Sequence, residues 1–503
     1  MAHGAAAVLL AAFFLQSSLG IESESLTFDE SGSIGSSYLA FRKHDVRLVK
    51  ERPPLLGLFI TLPLVLAGEP RLPPIVDPGN RVADQHFGDQ LLHDVGNDTI
   101  RITRVCRYTV LVLSLVLGVA LYAWATRLGG VRAGLFALFL FAFCPNLLAH
   151  SRIAANDMTC TIFAFLAMFA LDRLRRGPTL ARAAVAGVAL GMALTAKLTS
   201  VVLLPLVALV FLLDARLRPR GGVVALVAVV TIGACMGGTF DYGTYLVGFR
   251  NIYGAGASGY LYYLGGQFSA RPWWYYHLYA AGLKTPVPLL LLLPVGAVVL
   301  MRRDHDWTER LLVLGPLVAV VGASCFDPAN MGLRRILPAY PFAILAAAQA
   351  VRLGLPGATR AVLFGVLAVW QAGSVLHVTP HHLSYFNELA GGPTRGMFYL
   401  DDSNIDWGQD LPSLRRWLDA HPGLPVRLDY FGTARPETYG IALPQMDEET
   451  EICVPRHAVY VVSAHTLVFF EKVSRVRGSY CSWLMQYRPV DRIAYSMYVY
   501  DFR

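Results

Sequence analysis

The sequence predicts a polytopic α-helical membrane protein with a small C-terminal extracytoplasmic α/β domain. Of 503 residues, 55% are hydrophobic and only 16% are charged, and the mean hydropathy is +0.47. A soluble domain has about a quarter charged residues, so most of this chain belongs in lipid. The formal net charge of +8 comes from short basic clusters between apolar runs, a pattern that marks membrane topology rather than a nucleic-acid surface.

About eleven transmembrane helices are predicted, because roughly 20 apolar residues cross a bilayer and shorter segments are tolerated inside a bundle. They lie near residues 4–20, 106–126, 132–149, 157–172, 183–196, 199–213, 222–240, 277–300, 310–325, 336–351 and 360–377. Residues 1–377 therefore form a predicted transmembrane domain. An apolar segment after Pro53 and Pro54 is too short to cross, so an interfacial or re-entrant helix is expected there.

The arginine-rich connections define the predicted topology. They are 127–132, 173–182, 214–221, 301–310 and 352–360. Two predicted spans separate each from the next, so all lie on one side, which the positive-inside rule makes cytoplasmic. The N-terminus is then cytoplasmic, and the segments 21–105, 145–156, 241–276, 326–335 and 378–503 lie outside. Residues 1–20 can instead be a signal peptide, which also leaves 21–105 outside.

The tail 378–503 has shorter, alternating apolar runs. The segments "VRLDYFG", "AVYVVSA" and "AYSMYVYDF" predict strands, and "DLPSLRRWLDAH" has helical spacing with a proline in its first turn. Cys453 and Cys481 are the two cysteines in this polar region. They can form a disulfide if the tail lies in an oxidising compartment.

Three acidic residues at the outer face are catalytic candidates. Asp29 and Glu30 follow the first span in "LTFDESGSIGSSYL", and Asp157 opens the fourth span. A carboxylate there can accept the proton of an acceptor hydroxyl, and a second one can tune its pKa or hold a cation. An acidic pair in a loop is also ordinary solvated surface, and an aspartate at a helix start is also a cap.

Basic residues predicted at the same face are candidates for binding a phosphate. They are Arg52, Lys197, Lys284, Arg334 and Arg335. Arg334 and Arg335 lie outside, against the positive-inside trend, and a guanidinium pair binds phosphate well. Interfacial anchoring and snorkelling remain alternatives for Arg52 and Lys197.

The tail also carries a dense polar and aromatic cluster. Its members are Asp401, Asp402, Asn404, Asp406, Trp407, Gln409 and Asp410. Asp406 and Trp407 are candidates for contact with an acceptor or a glycan, because tryptophan stacks on sugar faces and carboxylates bind hydroxyls. Capping of a helix start explains much of the cluster equally well.

The order of these motifs resembles the GT-C superfamily of membrane glycosyltransferases. The likeness is to the protein O-mannosyltransferase-like family, glycosyltransferase family 39, and to the related aminoarabinose transferase acting on lipid A. It rests on "LTFDE", a basic residue before "PPL", the aspartate of the fourth span, "LTAKLT", "GLKTPVP", "GLRRILPAYPF", "SYFNELAGG" and "DSNIDWGQDL". Ser31 and the sequence "ERPPL" depart from the common pattern.

The resemblance implies an inverting transfer of a sugar, mannose-like, from a polyprenyl-phosphate donor to a protein, lipid or glycan acceptor. Asp29 would be the base, Glu30 and Asp157 would line the site, and the basic residues would contact phosphate. A divalent cation, Mg²⁺ or Mn²⁺, assists parts of the superfamily and stays open here. The location implied is the bacterial inner membrane, with the tail in the periplasm.

Two other functions fit the composition. A transporter or flippase of lipid-linked sugars would place its acids near the membrane midplane rather than at one face. A non-catalytic glycan-binding subunit would keep the fold and use its tail.

Overall fold

The computed structural model describes residues 2–49, 51–80, 82–254, 261–302, 306–478, 481 and 483–503. Its helices are α1 (Ala2–Ser23), α2 (Glu30–Lys43), α3 (Leu55–Leu66), α4 (Ala83–His93), α5 (Thr99–Ala142), α6 (Pro145–His150), α7 (Asn156–Arg176), α8 (Leu180–Ala196), α9 (Leu204–Leu213), α10 (Arg218–Cys235), α11 (Tyr242–Gly254), α12 (Tyr276–Lys284), α13 (Val287–Arg302), α14 (Trp307–Ser324), α15 (Tyr340–Ala347), α16 (Gly357–Leu376), α17 (Leu411–Ala420), α18 (Glu448–Glu451), α19 (Ala464–Arg477) and α20 (Trp483–Gln486). The strands are β1 (Tyr262–Leu264), β2 (Gln267–Ser269), β3 (Val426–Asp429), β4 (Val459–Ser463), β5 (Asp491–Ile493) and β6 (Met497–Asp501).

The membrane-spanning part is a bundle of apolar helices. Within the described ranges, five helices are long and apolar enough to cross a bilayer, namely α1, α5, α10, α14 and α16, and a sixth span arises if α12 and α13 are counted together. The expected number of eleven is therefore not confirmed. Several predicted spans, such as α8 and α9, are shorter helices of 10 to 17 residues.

Two helical segments of the bundle are broken, one within a predicted span and one at a predicted connection. The segment predicted as one helix near 277–300 is two helices, α12 and α13, bent by 113°. Thr285 is extended there, at φ −101° and ψ 133°, because the residue before Pro286 is disfavoured in the helical region. In α5, Gly130 at φ 80° and ψ 176° breaks the helix, at the basic connection predicted between two spans.

Close packing of α8 against α10 depends on small residues. A Cβ at Gly187 would lie 2.8 Å from the carbonyl oxygen of Val224, and one at Gly191 would lie 2.6 Å from that of Ala228. Residues four apart share one helix face. Glycines on such a face let two helix backbones approach each other within a membrane.

The first outer segment is helical rather than a loop. The Gly- and Ser-rich stretch after Glu30 forms α2, which packs against α3 and α4. A Cβ at Gly35 would lie 2.7 Å from the Cα atom of Gly88, and one at Gly57 would lie 2.2 Å from the carbonyl oxygen of Ser37. The small residues of this stretch therefore allow helices to cross closely.

The tail contains a small four-stranded sheet beside α17 and α19. The strands β3, β4 and β6 and the helix α17 were predicted, whereas β5 and α19 were not. The strand order is β3-β4-β6-β5, in which β3 and β4 are parallel and the other neighbours are antiparallel. Cys453 and Cys481 form a disulfide. The backbone nitrogen of Phe28 donates to the carbonyl oxygen of Trp407 at 2.9 Å, which attaches the tail to the segment just before α2.

Candidate functional site

The centre of the site is the carboxylate of Asp29, which immediately precedes α2. Its side chain does not cap that helix, because both oxygens are held elsewhere. Oδ1 accepts a hydrogen bond from Nη2 of Arg52 at 2.8 Å, and Oδ2 accepts one from Nη1 of Arg334 at 2.5 Å. Two guanidinium groups from distant parts of the chain therefore meet on one carboxylate.

Arg334 lies in the short helical turn Leu333–Ala339 that precedes α15. Its Nη1 is 3.5 Å from Oδ2 of Asp157, its Nε donates to Oγ of Ser403 at 3.1 Å, and its guanidinium lies 4.5 Å above the ring centroid of Trp407. Gly332 makes this placement possible, since its φ is 78° and a Cβ there would lie 2.1 Å from Oγ of Ser403. Arg334 thus links both carboxylates to the tail.

Asp157 lies in the first turn of α7 and pairs with Lys197. The Nζ atom of Lys197 donates to Oδ1 of Asp157 at 2.5 Å. Lys197 is in an extended conformation, at φ −158° and ψ 134°, between α8 and the turn Leu198–Leu203. This break in the helix leaves the lysine at the cavity wall instead of facing lipid.

These groups line a cavity of about 810 Å³. Of the residues predicted from the sequence, the cavity wall contains Asp29, Arg52, Asp157, Lys197, Arg334, Arg335 and Trp407. The bundle contributes apolar residues to the wall: Val201, Val202, Leu203, Val320 and Phe342. The first outer segment and the tail contribute aromatic and polar residues: Phe28, Asp402, Phe431 and His465.

Charge governs the state of Asp29. Burial alone would raise the pKa of its carboxyl, but the positive charges of Arg52 and Arg334 outweigh that effect and hold the pKa below its usual range. Asp29 is therefore ionised at neutral pH. Arg335, the neighbouring cation, pairs instead with Asp327, whose Oδ2 is 2.8 Å from Nη1 of Arg335.

Glu30 does not line the cavity, contrary to the expectation from the sequence. Its carboxylate forms a buried ion pair with Arg107, with Nη2 at 2.6 Å from Oε2 and Nε at 2.9 Å from Oε1. Oε1 also accepts the backbone nitrogen of Ala154 at 2.8 Å. Glu30 thus fixes the segment before α7, and its effect on Asp157 is positional.

Lys284 is also absent from the cavity wall, so the expected contact with phosphate is not supported. Its Nζ donates to the carbonyl oxygens of Leu383 and Tyr385, at 2.9 Å each, and to that of Asn404. The side chain is buried. It anchors the segment that joins the bundle to the tail, because three buried carbonyl groups need a donor.

The carboxylate of Asp406 binds backbone groups of the tail instead of facing the cavity. Its carboxylate accepts the backbone nitrogens of Gly408, at 3.1 Å, and of His465, at 3.0 Å. Burial raises the pKa of its carboxyl to about 6. Asp406 does not reach the cavity. It holds the start of α19, from which His465 does reach the cavity.

His465 and Phe431, which also line the cavity, belong to no motif in the sequence. Asp402 stands out in the sequence only as one member of the polar and aromatic cluster of the tail. The one sequence feature that could have pointed to these residues is that they belong to the same tail as Trp407. Their convergence with Asp29 depends on tertiary contacts between residues several hundred positions apart.

The residues present do not fit a divalent cation. No group of three or more histidine, cysteine, aspartate or glutamate side chains in the described part of the chain is arranged to hold a metal ion. The two central carboxylates, Asp29 and Asp157, are each already paired with a cationic side chain. No step of the mechanism below depends on a metal.

Comparison with known proteins gives two findings. Residues 97–236 match the family model described as dolichyl-phosphate-mannose-protein mannosyltransferase; this range includes Asp157 and Lys197 but not Asp29 or Arg334. The chain is also similar to the apo structure of ArnT from Cupriavidus metallidurans, with a TM-score of 0.53 and 14% identity, over 98% of this chain and 96% of that one.

The chain has a GT-C fold. At the level of the fold, this confirms the predicted resemblance to the GT-C superfamily. ArnT from the same organism bound to undecaprenyl phosphate gives a TM-score of 0.48 at 14% identity, covering 98% of this chain and 96% of that one. Oligosaccharyltransferase AglB from Archaeoglobus fulgidus, in complex with an inhibitory peptide and a dolichol-phosphate, gives 0.45 at 11% identity, covering 72% and 55%. No conclusion rests on these last two likenesses. No curated protein matches the sequence.

Proposed function

We propose that the protein is an integral membrane glycosyltransferase that transfers a sugar from a polyprenyl-phosphate donor to an acceptor at the extracytoplasmic face. The donor sugar is mannose-like, and the reaction inverts the anomeric centre. The observation that carries this proposal is the carboxylate of Asp29 in a large cavity, paired with Arg52 and Arg334 and close to apolar residues of the bundle. The GT-C fold and the family match over 97–236 support the same class.

The cavity wall suits both parts of a lipid-phosphate donor. The apolar residues contributed by the bundle can contact the polyprenyl chain. Arg52, Lys197 and Arg334 can contact the phosphate, and Arg335, the residue after Arg334, lines the same cavity. Guanidinium groups bind phosphate through paired hydrogen bonds, and a lysine adds a point charge. Such cations stabilise the charge that develops on the leaving group.

The proposed reaction is a single displacement. The acceptor hydroxyl oxygen attacks the anomeric carbon, the bond from that carbon to the phosphate oxygen breaks, and the hydroxyl proton passes to Asp29. Polyprenyl phosphate leaves with the bonding electron pair. Asp157 keeps Lys197 in place through the 2.5 Å contact and is thus a positioning residue. General base catalysis of this kind contributes about 10²- to 10⁴-fold.

Binding of the donor would also prepare the base. Without donor, Arg52 and Arg334 neutralise Asp29 and make it a weak base, since a low pKa means little affinity for a proton. The donor phosphate competes with Asp29 for the same two guanidinium groups. As they turn to the phosphate, the pKa of Asp29 rises toward the value that a base requires.

The proposed orientation places the N-terminus in the cytoplasm and the tail in the periplasm of a bacterial inner membrane. The five basic connections lie on one side by the positive-inside rule. The disulfide between Cys453 and Cys481 suits a tail in an oxidising compartment. The site at the segment before α2 is then extracytoplasmic as well.

The test is turnover of a panel of radiolabelled polyprenyl-phosphate monosaccharides by the purified full-length protein. We expect release of polyprenyl phosphate from one donor, by transfer or by slow hydrolysis, with mannose as the best sugar. Protein of the variant Asp29→Asn serves as the matched blank. Absence of turnover with every donor by folded protein would contradict the enzyme and favour transport or glycan binding.

A further inference from the structure

The part of the cavity wall that comes from the tail carries two polar groups with open hydrogen-bonding positions. Asp402 and His465 both line the cavity. Oδ1 of Asp402 accepts the backbone nitrogen of Ser403 at 2.5 Å, and Nδ1 of His465 is 2.9 Å from Oδ1 of Asp401. No described residue forms a hydrogen bond with the remaining atoms, Oδ2 of Asp402 and Nε2 of His465.

The backbone of Asp402 is in a conformation that must be held in place. Its φ is 58°, in the left-handed region. For a residue other than glycine this conformation costs about 1–2 kcal/mol of conformational free energy. Aspartate is among the residues that tolerate this region. Strain of this kind persists where the surrounding structure requires it, and it accumulates at functional sites. Here it keeps a carboxylate at the cavity wall.

His465 is fixed from two directions. Its backbone nitrogen donates to Oδ2 of Asp406 at 3.0 Å, and its ring pairs with Asp401. Because Nδ1 is engaged with a carboxylate, Nε2 is the atom left for the cavity. Two acidic residues of the tail, which do not themselves line the cavity, therefore position one histidine that does.

Aromatic carbon lies beside these polar groups. The rings of Phe28 and Phe431 are stacked, with centroids 5.0 Å apart and planes 11° apart. The ring centroids of His465 and Phe431 are 4.0 Å apart. All three rings line the cavity. Recognition of a pyranose ring needs this combination, because its C–H groups contact aromatic carbon and its hydroxyls need both a donor and an acceptor.

We propose that Asp402 and His465, with Phe28 and Phe431, form an acceptor subsite that binds a pyranose ring through its hydroxyl groups. This rests on the proposed function. The acceptor is accordingly a glycan or a glycolipid rather than the side chain of an unglycosylated peptide. Asp402 accepts a hydrogen bond from one hydroxyl, and His465 donates one to another.

The subsite belongs to the acceptor rather than to the donor because of what surrounds it. The phosphate-binding cations and the apolar wall come from the bundle and the first outer segment, whereas Asp402 and His465 come from the tail. Phe28 directly precedes Asp29 in the chain, and Ser403, next to Asp402, accepts a hydrogen bond from Arg334. A ring held here has a hydroxyl near the base while the donor occupies the other wall.

The first test is saturation-transfer NMR on the purified full-length protein in detergent micelles. The probes are methyl glycosides of mannose, glucose and N-acetylglucosamine, and a serine- and threonine-containing peptide without sugar. The variant Asp402→Gly removes the carboxylate and keeps the left-handed backbone. Asp77→Gly is its matched control, since Asp77 also has a positive φ, of 40°, and is not on the cavity wall. His465→Ala removes the donor.

We expect saturation transfer to the ring protons of at least one glycoside with the wild type and with Asp77→Gly. With Asp402→Gly or His465→Ala the affinity should fall roughly tenfold or more, the usual effect of losing a hydrogen bond to a charged group. Binding that is unchanged in both variants would overturn the proposal. So would binding of the peptide with no binding of any glycoside.

The second test separates the subsite from the enzyme. With the bound glycoside as acceptor, the acceptor KM should rise in Asp402→Gly and the donor KM should not. A rise in the donor KM alone would overturn the assignment to the acceptor. If the wild type turns over no donor yet binds glycosides through Asp402, the proposed function fails and the carbohydrate site stands. If the wild type turns over a donor but binds glycosides equally well without Asp402, the acceptor subsite fails and the proposed function stands.

Discussion

Arg334 donates a hydrogen bond to Oδ2 of Asp29 at 2.5 Å, although 305 positions separate the two residues in the chain. The contact joins the turn before α15 to the residue that opens α2. It also brings a guanidinium with an affinity for phosphate onto the proposed base. In the proposed mechanism this contact, together with that of Arg52, couples donor binding to activation of the base.

The variant Arg334→Gln should shift the pH dependence of kcat/KM for the donor. Asp29 must be ionised to accept a proton, and Arg334 helps to hold its pKa below the usual range against the opposing effect of burial. Loss of this positive charge raises the pKa of Asp29 in the donor-free enzyme, so the acidic limb of the kcat/KM profile, which reports the free enzyme, should move to higher pH.

Arg335→Gln is the matched control for that shift, because Arg335 pairs with Asp327 and not with Asp29. The acidic limb of the pH profile of Arg335→Gln should coincide with that of the wild type, even if the donor KM of this variant changes. Coincident limbs in Arg334→Gln and the wild type would show that Arg334 does not set the ionisation of the base.

Glu30→Gln should destabilise the fold. Glu30 and Arg107 are almost completely buried, so removing one charge leaves the other unpaired at a cost of about 3–5 kcal/mol. The measurement is the melting temperature of the protein in detergent. The control is Glu22→Gln, since the pair of Glu22 and Arg104 is 47% exposed on both sides and contributes about 0–1 kcal/mol. Equal melting temperatures in the two variants would refute the structural role.

His465 should titrate well above an ordinary histidine. Burial lowers its pKa, but Asp401, with smaller effects of Asp402 and Asp406, outweighs burial and raises the pKa to about 9. Because the folded pKa exceeds the unfolded one, the stabilisation is complete below about pH 6.5 and is lost as the pH rises through 9. NMR titration of the imidazole checks this value. In Asp401→Asn the pKa should fall; a titration unchanged by that substitution would disprove the pair.

Reduction of the disulfide should destabilise the tail. Cys453 and Cys481 are 28 positions apart, and closing a loop of this size in the unfolded chain stabilises the fold by about 3–4 kcal/mol. Cys453→Ser with Cys481→Ser should therefore lower the melting temperature of the tail, followed by limited proteolysis at increasing temperature. Free thiols at both positions in protein isolated from membranes would argue against an oxidising location for the tail.

The sequence predicts the part of the site that depends on one-dimensional patterns. Asp29, Asp157 and Arg334 stand at the ends of apolar runs, and positive-inside topology places such ends at one face. Their roles in catalysis remain predictions. The strands and α17 of the tail follow from alternation and helical spacing, which are local properties.

The sequence could not show which charges are already paired. Glu30 and Lys284 look like site residues by position, but a partner from a distant segment, Arg107 in one case and tail carbonyl groups in the other, removes each from the cavity. The helix α2 was missed because glycine and serine favour loops in isolation. Packing against α3 and α4 makes the helix favourable. The bend between α12 and α13 depends on Pro286, whose local effect the apolar run concealed.

The role of Asp29 as the base is tested most directly by single-turnover release of radiolabelled polyprenyl phosphate, with Asp29→Asn compared with Asp45→Asn. Asp45 lies in the same outer segment and pairs with the exposed Arg47, away from the cavity. We expect wild-type rates for Asp45→Asn and a loss of about 10²-fold or more for Asp29→Asn, both measured at a temperature below the melting temperature of each variant. Equal rates in the two variants would contradict the assignment of Asp29 as the base.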